Sequence, residues 1–542
     1  MSFFSRMPLF VLLIGVAGLA MLVPAAYAAA TAWYEIARSF LFSSVLMLVL
    51  TALLGAATAG GRRPGPHGRS VLATMLGVLG VLPIALGLPL AMVLPDTGIF
   101  NAWWEMVSCL TTTGASLYAA DMLAPPIHLW RALVGWLGGL FILVSAVAVL
   151  SPMKVGGFEI LSSPYGRSER FRPLPESADP RNQPQFFLGL GADRTTPSAR
   201  AMRVLRDVGP YYAGLTLALW VILLLAGDPG LVALCRALGT LSTSGISPVA
   251  GSVGVHSGVL GEVVVAFFMI FALTRRFWPG GGELRATETL RTDPELRLGL
   301  TVVVLVALVL FLRHFFTSFE QEIAASNVAT GVLISLRNAA VAAWGGFFNA
   351  LSFLTTTGWN SVDWQGARSW SGLESPGLLL AGLAIMGGGV ATTAGGVKLL
   401  RVYALARQSE RELERVVHPT SVSGGGRMAR RLRSEGAYLA FIFFMLFALS
   451  IAVTVLLVSI RPIEFDTAVI LSVSALTNTG PLAGTIHLTP SFESTAGFAS
   501  NPWEGWSGLA ALPKTVLAGA MIVGRLETLA ILALVTPDFW RR

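Results

Sequence analysis

Hydrophobic runs long enough to cross a bilayer alternate in this chain with shorter apolar stretches. A transmembrane helix needs roughly 20 mostly apolar residues. Two long runs open the chain, at 8–30 and 39–60, and a unit of span, short stretch, polar segment and second span then recurs four times. The pattern predicts an all-α polytopic membrane protein with two leading helices and four repeated units.

The four units share one order of long, short and long apolar runs. First spans are predicted at 70–94, 208–226, 298–316 and 436–460, short stretches at 99–110, 230–241, 338–354 and 464–476, and second spans at 129–150, 257–274, 376–400 and 514–536. Repetition of this kind defines an architecture. We therefore expect four pseudo-symmetric units around one axis.

A polar segment follows each short stretch, and we name these four the hydroxyl–glycine segments 1 to 4. They read Leu110-Thr111-Thr112-Thr113-Gly114, Leu241-Ser242-Thr243-Ser244-Gly245, Leu354-Thr355-Thr356-Thr357-Gly358 and Leu476-Thr477-Asn478-Thr479-Gly480. Polar backbone at membrane depth is costly unless it is buried in protein or lines a wet cavity. One such sequence is typical of a turn or helix cap, but four at the same place in a repeat favour one shared cation pathway.

The residue types in these segments suit a cation. Potassium-type filters replace the water around the ion with rings of backbone carbonyls. Glycine permits the unusual φ angles of such a turn, and small hydroxyl residues pack close to an axis. Each segment has one glycine, whereas the filter of tetrameric potassium channels has two. We therefore expect fewer ordered sites and looser discrimination between cations.

Composition and charge agree with a membrane protein. The chain is 54% hydrophobic and 13% charged, with a mean hydropathy of +0.69, whereas a soluble protein is about a quarter charged. Lys and Arg concentrate in the loops at 152–206, 275–297 and 398–435, which indicates that these loops are cytoplasmic. This bias explains the net charge of +8 without nucleic acid as a partner.

Acidic residues concentrate at the opposite ends of the spans. They are Asp96, Asp121, Asp228, Glu320, Glu322, Asp363, Glu374, Glu464 and Asp466. An acidic vestibule would raise the local cation concentration. The alternative is that these are ordinary solvated loop charges.

Neither cysteine nor histidine offers a metal site. The two cysteines, Cys109 and Cys235, lie in short apolar stretches and are expected to be packing residues, and the six histidines have no ligand spacing. No nucleophile and base are paired at membrane depth, which argues against an intramembrane enzyme.

The second span of unit three contains a glycine break, which we define as residues 387–396. Gly387, Gly388, Gly389, Gly395 and Gly396 lie there with two threonines. Each glycine costs roughly 1 kcal/mol in a helix interior, so the helix is expected to break in mid-membrane. The alternative is close helix packing through small residues, although the glycines are not spaced by four as a packing face would require.

Arg525 lies inside the last apolar span. Such a residue usually faces a cavity or a partner. One interpretation puts its charge in the pathway below the segments, as a barrier to cations. The alternatives are that it snorkels to the interface or pairs with a distant carboxylate; Glu527 is too close in sequence to face it on a helix.

Several further motifs resemble the Trk/Ktr/HKT superfamily of potassium transport proteins, and most of all its bacterial TrkH-type pore subunits. The motifs are Gly135-Trp136-Leu137-Gly138-Gly139, Asp293-Pro294-Glu295-Leu296-Arg297, Val417-His418-Pro419, Gly480-Pro481 and Gly524-Arg525-Leu526-Glu527. The resemblance covers nearly the whole chain. It implies potassium uptake across the bacterial cytoplasmic (inner) membrane, with the basic loops cytoplasmic.

The resemblance also assigns roles to residues. It implies a K⁺ filter built from Thr112, Thr113, Gly114, Thr243, Ser244, Gly245, Thr356, Thr357, Gly358, Asn478, Thr479 and Gly480. Glycine in all four segments is similar to potassium-preferring members, whereas sodium-preferring plant relatives have serine in the first. The glycine break would be an intramembrane gating loop, and Arg525 the pore arginine of the family.

The resemblance implies partners and a division of the chain. A homodimer on a cytoplasmic ring of TrkA-like regulatory subunits is expected; this chain would bind nucleotide only through that ring. The predicted parts are an N-terminal hairpin (1–64), pore repeats at 65–151, 202–276, 298–403 and 436–542, and cytoplasmic segments at 152–201, 277–297 and 404–435.

The sequence is compatible with two alternatives, one concerning ion coupling and one concerning the opening apolar run. A K⁺/H⁺ or K⁺/Na⁺ symporter with strict ion coupling is an alternative to a channel, since groups such as Glu105 would be available for coupling. The opening run ends in small residues, Ala25 to Ala30, and so resembles a signal peptide; cleavage there is a second alternative.

Overall fold

The computed structural model describes residues 8–59, 68–94, 97–151, 197–249, 251–279, 293–317, 328–371, 377–418, 434–486 and 505–526. Within these ranges the regular structure is helical throughout and contains no strand, which confirms the predicted fold class. The α-helices are Leu9–Ala20, Leu22–Ala30, Tyr34–Ala59, Gly68–Gly80, Leu82–Val93, Gly98–Leu110, Pro125–Ser145, Pro197–Leu225, Gly230–Leu241, Gly254–Met269, Pro294–Thr317, Val328–Leu354, Trp364–Ser371, Gly377–Met386, Leu399–Val417, Ser434–Val458, Phe465–Leu476, Leu482–Thr485 and Ala511–Leu526.

Eight helical stretches in the described ranges are long and apolar enough to cross a membrane. They are Leu9–Ala30, Tyr34–Thr58, Leu72–Val93, Pro125–Leu150, Arg200–Leu225, Gly254–Ala272, Pro294–Leu312 and Gly436–Val458. Each corresponds to a predicted span. Of the other two predicted spans, 376–400 is interrupted and 514–536 is described only as far as Leu526.

The opening apolar run is part of the packed body. Its helices Leu9–Ala20 and Leu22–Ala30 lie against Tyr34–Ala59. The Ser44 hydroxyl donates a hydrogen bond of 2.7 Å to the Gly18 carbonyl, and Met21 is fully buried. The hairpin of two leading helices is therefore held by side-chain contacts as well as by its short connection.

Four helices end at the leucine that opens a hydroxyl–glycine segment, and we call them short helices 1 to 4. Short helices 1, 2 and 4 are Gly98–Leu110, Gly230–Leu241 and Phe465–Leu476. The third is longer than predicted, because the stretch expected at 338–354 is the end of the 27-residue helix Val328–Leu354. A further helix, Trp364–Ser371, follows segment 3 and was not expected.

The buried apolar side chains form two large clusters. One joins the leading helices with units one and four, and includes Leu110 and Leu476. The other is formed mainly by units two and three, with some side chains of units one and four, and includes Leu241 and Leu354. The first and last units thus share a core although they lie at opposite ends of the sequence, as expected for units arranged around an axis.

The helix of unit three breaks where glycines predicted it. Helix Gly377–Met386 ends, a non-helical stretch follows, and helix Leu399–Val417 begins. Left-handed backbone occurs at Gly387, Ala391 and Gly396, with φ of 71°, 53° and 74°. The alternative of a continuous helix packed through small residues is therefore wrong.

Candidate functional site

The hydroxyl–glycine segments share one backbone conformation. Their third residues are all left-handed, with φ of 56° at Thr112, 54° at Thr243, 56° at Thr356 and 55° at Asn478. A β-branched residue with positive φ is a genuine outlier, and such strain costs on the order of 1–3 kcal/mol. Asparagine tolerates this conformation better, so the strain falls on the three threonines, and its recurrence shows that the surrounding structure imposes it.

A repeated hydrogen-bond pattern holds this conformation. The N–H of the fourth residue donates to the carbonyl five residues earlier, at 2.9 Å in every segment: Thr113 to Ser108, Ser244 to Gly239, Thr357 to Ser352 and Thr479 to Ser474. The N–H of the third residue donates to the carbonyl three residues earlier. This is the Schellman motif that ends many helices, but the left-handed position that usually holds glycine holds threonine or asparagine here.

The hydroxyl residues at the second and fourth positions bond to each other. Their oxygens lie 2.8 Å apart in segment 1, 2.9 Å in segments 2 and 3, and 3.2 Å in segment 4. The alternating hydroxyl pattern of the sequence thus stabilises the turn within each segment. Every hydroxyl in these pairs is buried.

The segments touch one another in cyclic order. A side chain at Gly114 would overlap the Ser244 carbonyl oxygen, and one at Gly245 would overlap that of Thr357. Gly358 lies against the ring of Pro481, and a side chain at Gly480 would overlap the Ala115 amide nitrogen. The contacts run from segment 1 to 2, 3, 4 and back to 1, so one chain forms a closed ring of four. The partial negative ends of four short helices meet at this ring.

Segment 4 departs from the other three. Gly114, Gly245 and Gly358 have φ of 74°, 60° and 78°, but Gly480 is not left-handed. Its N–H instead donates to the Thr113 carbonyl at 2.6 Å, and Pro481 begins a short helical turn directly after it. The ring is therefore pseudo-symmetric in its backbone as well as in its side chains.

In two units, a side chain of the short helix accepts a hydrogen bond from the backbone that follows the segment. In unit one the Glu105 carboxylate accepts a hydrogen bond of 2.9 Å from the N–H of Leu117. In unit three the Asn349 side chain accepts one of 2.9 Å from the N–H of Ser361. In both cases the acceptor lies twelve residues before the donor, so the two units share an anchor with different chemistry.

Glu105 is also half of a buried ion pair. Its carboxylate lies 2.7 Å from the Arg131 guanidinium, and neither side chain is more than 5% exposed. The charge of Glu105 is therefore compensated inside the protein. This pairing was not recognised in the sequence, where an acidic residue in an apolar stretch was the available signal and nothing identified its partner.

The predicted acidic vestibule needs a correction at Asp228. Both of its carboxylate oxygens accept hydrogen bonds from Arg236, at 2.7 and 2.8 Å. Both side chains are buried; Arg236 lies in short helix 2, and Asp228 lies just before this helix. Asp228 is thus structural. Asp121, Glu464 and Asp466 are exposed, whereas Asp363 is half-buried. Burial raises the pKa of the Asp363 carboxyl, and nearby Arg337 lowers it in part.

A second buried carboxylate joins units two and three. Glu262, in the second span of unit two, accepts hydrogen bonds from the Trp344 indole (2.8 Å), the Ser361 hydroxyl (2.7 Å) and the Val362 N–H (2.7 Å). Ser361 and Val362 follow segment 3 in sequence, with Trp359 and Asn360 between them and Gly358. Glu262 therefore fixes the exit of segment 3 from the neighbouring unit.

The glycine break lies between the ring and the ends of two helices. On one side, Gly389 N–H donates to the Ala272 carbonyl at 3.0 Å and Val390 N–H donates to the Glu295 carboxylate at 2.8 Å. On the other side, the break contacts segments 2 and 3 through Thr393 and Gly395. Residues of unit two, of unit three and of the segment just before unit three thus hold it.

Arg525 contacts the glycine break directly. Its guanidinium donates a hydrogen bond of 2.6 Å to the Thr393 carbonyl, and the residue is 6% exposed. It lines a small cavity together with Lys398, Ala391, Thr392 and Gly395. The alternative that Arg525 snorkels to the interface is wrong, because the side chain faces the interior.

Several residues singled out in the sequence lie outside the described ranges. They are Asp96, Glu320, Glu322, Glu374, Pro419, Glu527 and most residues of the basic loops. The predicted filter residues and the predicted gating residues all lie within the described ranges.

Comparisons with known proteins agree with this architecture. The family model of TrkH, described as a cation transport protein, matches residues 217–540. The Trk system potassium uptake protein TrkH of Salmonella typhimurium is 29% identical over 479 residues, which cover 86% of this chain and 84% of that protein. The protein of the same name from Halomonas elongata is 27% identical over 526 residues, covering 93% and 94%.

A solved structure has the same fold. The crystal structure of the potassium transporter TrkH from Vibrio parahaemolyticus aligns over 100% of both chains with a TM-score of 0.72 and 23% sequence identity.

Proposed function

Because this chain belongs to the TrkH family of cation transport proteins, we propose that it takes up potassium ions through a single-chain pore whose filter is the ring of hydroxyl–glycine segments. A transporter family also excludes the intramembrane enzyme considered from sequence. The observation that carries the proposal is the cyclic contact of four segments whose third residues share one left-handed conformation. Potassium is the ion named for the relatives of this chain.

The ring has the chemistry that a potassium ion requires. Backbone carbonyls in a ring replace the waters of a K⁺ ion, and the ends of four short helices add partial negative charge at the same place. The filter residues would be the third to fifth residues of each segment, from Thr112–Gly114 to Asn478–Gly480.

The glycine break and Arg525 are the proposed gate. The break lies against segments 2 and 3, and Arg525 holds its Thr393 carbonyl. A cation that left the ring on this side would meet both the backbone of the break and a buried positive charge. Movement of the break and of Arg525 would therefore open the path.

Glu105 does not favour the symport alternative. A residue that carries a coupling proton must change its charge during transport, whereas Glu105 is compensated by Arg131 and holds the Leu117 amide. An electrodiffusive channel is the simpler interpretation. Strict coupling to H⁺ or Na⁺ is the competing outcome that flux measurements separate.

The proposed assembly follows the family resemblance. The chain would lie in the bacterial inner membrane as a homodimer, surrounded by lipid, with its basic loops on the cytoplasmic side. A TrkA-like ring of nucleotide-binding subunits would dock on the basic loops at 152–206, 275–297 and 398–435. The division into pore repeats and cytoplasmic segments given above belongs to the same proposal.

Flux through the chain alone tests the function. The purified chain would be reconstituted into lipid vesicles, and K⁺, Na⁺ and Rb⁺ uptake measured with an imposed voltage and with or without H⁺ or Na⁺ gradients. Uptake of K⁺ driven by voltage alone supports a channel, and uptake that requires a second gradient supports a symporter. No cation flux under any of these conditions would contradict the proposal.

A further inference from the structure

The third residues of segments 2 and 3 hold the glycine break with their side chains. The Thr243 hydroxyl shares its hydrogen between the Thr393 carbonyl at 2.8 Å and the adjacent Ser242 carbonyl at 2.7 Å. The Thr356 hydroxyl accepts one of 2.7 Å from the N–H of Gly395. Both threonines are 1% exposed. These bonds are therefore shielded from water, where a lost partner is costly.

The other two units use the same position differently. Thr112 has the same backbone angle as Thr356, but its hydroxyl bonds to no group within the described part of the chain. Asn478 donates to the Thr113 hydroxyl at 3.0 Å and to the Met521 carbonyl at 2.9 Å. A role in binding the ion would apply to all four positions, whereas the hydrogen bond to the break is made by the third residues of segments 2 and 3. Segment 4 approaches the break through the Thr477 carbonyl, which lies beside Gly395.

We infer that Thr243 and Thr356 are positioning residues that latch the glycine break in its closed place against the ring. The inference rests on the proposed function only in that the break is the gate. It adds that two residues of the filter ring, Thr243 and Thr356, hold the gate with their side chains.

Several hydrogen-bond donors and acceptors converge on the short stretch 393–395. Thr243 and Arg525 both donate to the Thr393 carbonyl, and Thr393 returns a hydrogen bond of 3.2 Å from its own hydroxyl to the Leu241 carbonyl. The break cannot leave the ring without separating these groups and exposing the Gly395 amide. The latch therefore couples the position of the gate to the conformation of segments 2 and 3.

The retained strain agrees with this role. Threonine is disfavoured at a φ near 55°, where glycine would be relaxed. Threonine, unlike glycine, has a hydroxyl at this position that can hydrogen-bond to the break. The strain is thus offset in units two and three by bonds to the break.

The test compares Thr243→Val and Thr356→Val with Thr112→Val. Valine keeps the β-branched shape, so all three variants carry similar backbone strain, but only the first two lose a bond to the break. One hydrogen bond shifts a two-state equilibrium by about fivefold. We expect about fivefold faster K⁺ leak into vesicles containing only this chain for Thr243→Val and Thr356→Val than for Thr112→Val, which measures what a valine in the ring does without the loss of a bond to the break.

Two further measurements separate a latch from general damage to the ring. Thr356→Ser keeps the hydroxyl and should leak less than Thr356→Val, and the K⁺/Rb⁺ flux ratio of Thr356→Val should equal that of Thr112→Val, which puts the same side chain at the same place in the ring. If Thr356→Val does not reach the membrane, Thr356→Ala, which carries less strain, is measured in its place. Hydrogen exchange at the Gly395 amide should accelerate in either variant.

Equal leak in Thr356→Val and Thr112→Val would overturn the latch. A rise in leak accompanied by a K⁺/Rb⁺ ratio different from that of Thr112→Val would also overturn it, because the leak would then come from a change in the ring itself. Failure of the proposed function has a different signature: neither the wild type nor any variant, Arg525→Ala included, would conduct a cation.

Discussion

Gly480 donates its backbone N–H to the carbonyl oxygen of Thr113 at 2.6 Å. The two residues belong to the last and the first hydroxyl–glycine segments, and most of the chain lies between them. This bond closes the ring of four segments. It also explains why the fourth glycine, unlike the other three, is not left-handed: its amide is turned toward segment 1.

Crowding in the ring predicts the effect of Gly114→Ser. Gly114 has a φ of 74°, and a side chain there would overlap the Ser244 carbonyl. Segment 2 must shift to admit serine, so the carbonyl ring should loosen and the ratio of K⁺ to Na⁺ flux should fall about tenfold or more, which corresponds to about 1.4 kcal/mol. Flux of both ions in vesicles measures the ratio.

Gly98→Ser is a matched control for this variant. Gly98 is also left-handed, with a φ of 65°, but nothing lies within 4 Å of an added side-chain carbon. It carries the same backbone strain without the crowding. An unchanged ratio in Gly114→Ser, or an equal fall in Gly98→Ser, would show that close approach at the ring does not set selectivity.

The buried charge of Arg525 predicts faster cation flux in Arg525→Ala. A unit charge 10 Å from a cation still costs about 1.7 kcal/mol at an effective dielectric constant of 20, so removing it should raise K⁺ flux by about tenfold or more. Arg525→Lys retains the charge and should stay close to the wild type. Equal flux in the three proteins at matched reconstitution would argue against an electrostatic barrier.

The Glu105–Arg131 pair predicts a loss of stability in Glu105→Leu. Removing one partner of a buried pair leaves an uncompensated charge and costs about 3–5 kcal/mol, and the Leu117 amide loses its acceptor as well. Thermal unfolding in detergent should show a lower midpoint. The double variant Glu105→Leu with Arg131→Leu should be more stable than Glu105→Leu alone; a still lower midpoint would mean that the two charges do not compensate each other.

Contact of the glycine break with unit two predicts a leak in Gly389→Ala. A side chain at Gly389 would overlap the Leu273 carbonyl, so the break must move away from unit two. We expect K⁺ leak to rise several-fold, because each lost hydrogen bond shifts the gate by about fivefold. Vesicle flux without any other protein measures this.

Gly382→Ala is the control for the break. Gly382 lies in helix Gly377–Met386, and nothing lies within 4 Å of an added side-chain carbon. Alanine should favour this helix by roughly 1 kcal/mol and leave the leak unchanged. A leak in both variants would mean that the effect arises in the helix and not in the contact between the break and Leu273.

Periodicity and local chemistry determined much of this protein from sequence. Runs of about 20 apolar residues specify membrane spans because a helix of that length matches the thickness of the hydrocarbon core of a bilayer. The glycines of 387–396 specify a helix break because each weakens the helix locally, and the repeated hydroxyl–glycine pattern specifies four equivalent turns. These are properties of neighbouring residues, and every described span overlaps a predicted one, although helices Pro197–Leu225 and Val328–Leu354 begin well before the predicted starts at 208 and 338.

Only the tertiary structure decided which groups meet. Asp228 in an outer stretch looked like a vestibule charge and is buried against Arg236. Glu105 and Arg131 are paired across two helices, and Thr243 and Thr356 reach the glycine break whereas Thr112 does not. The four segments have nearly the same sequence and backbone, so their different partners come from the packing of distant units. Long-range contacts of this kind leave no periodic signal in one sequence.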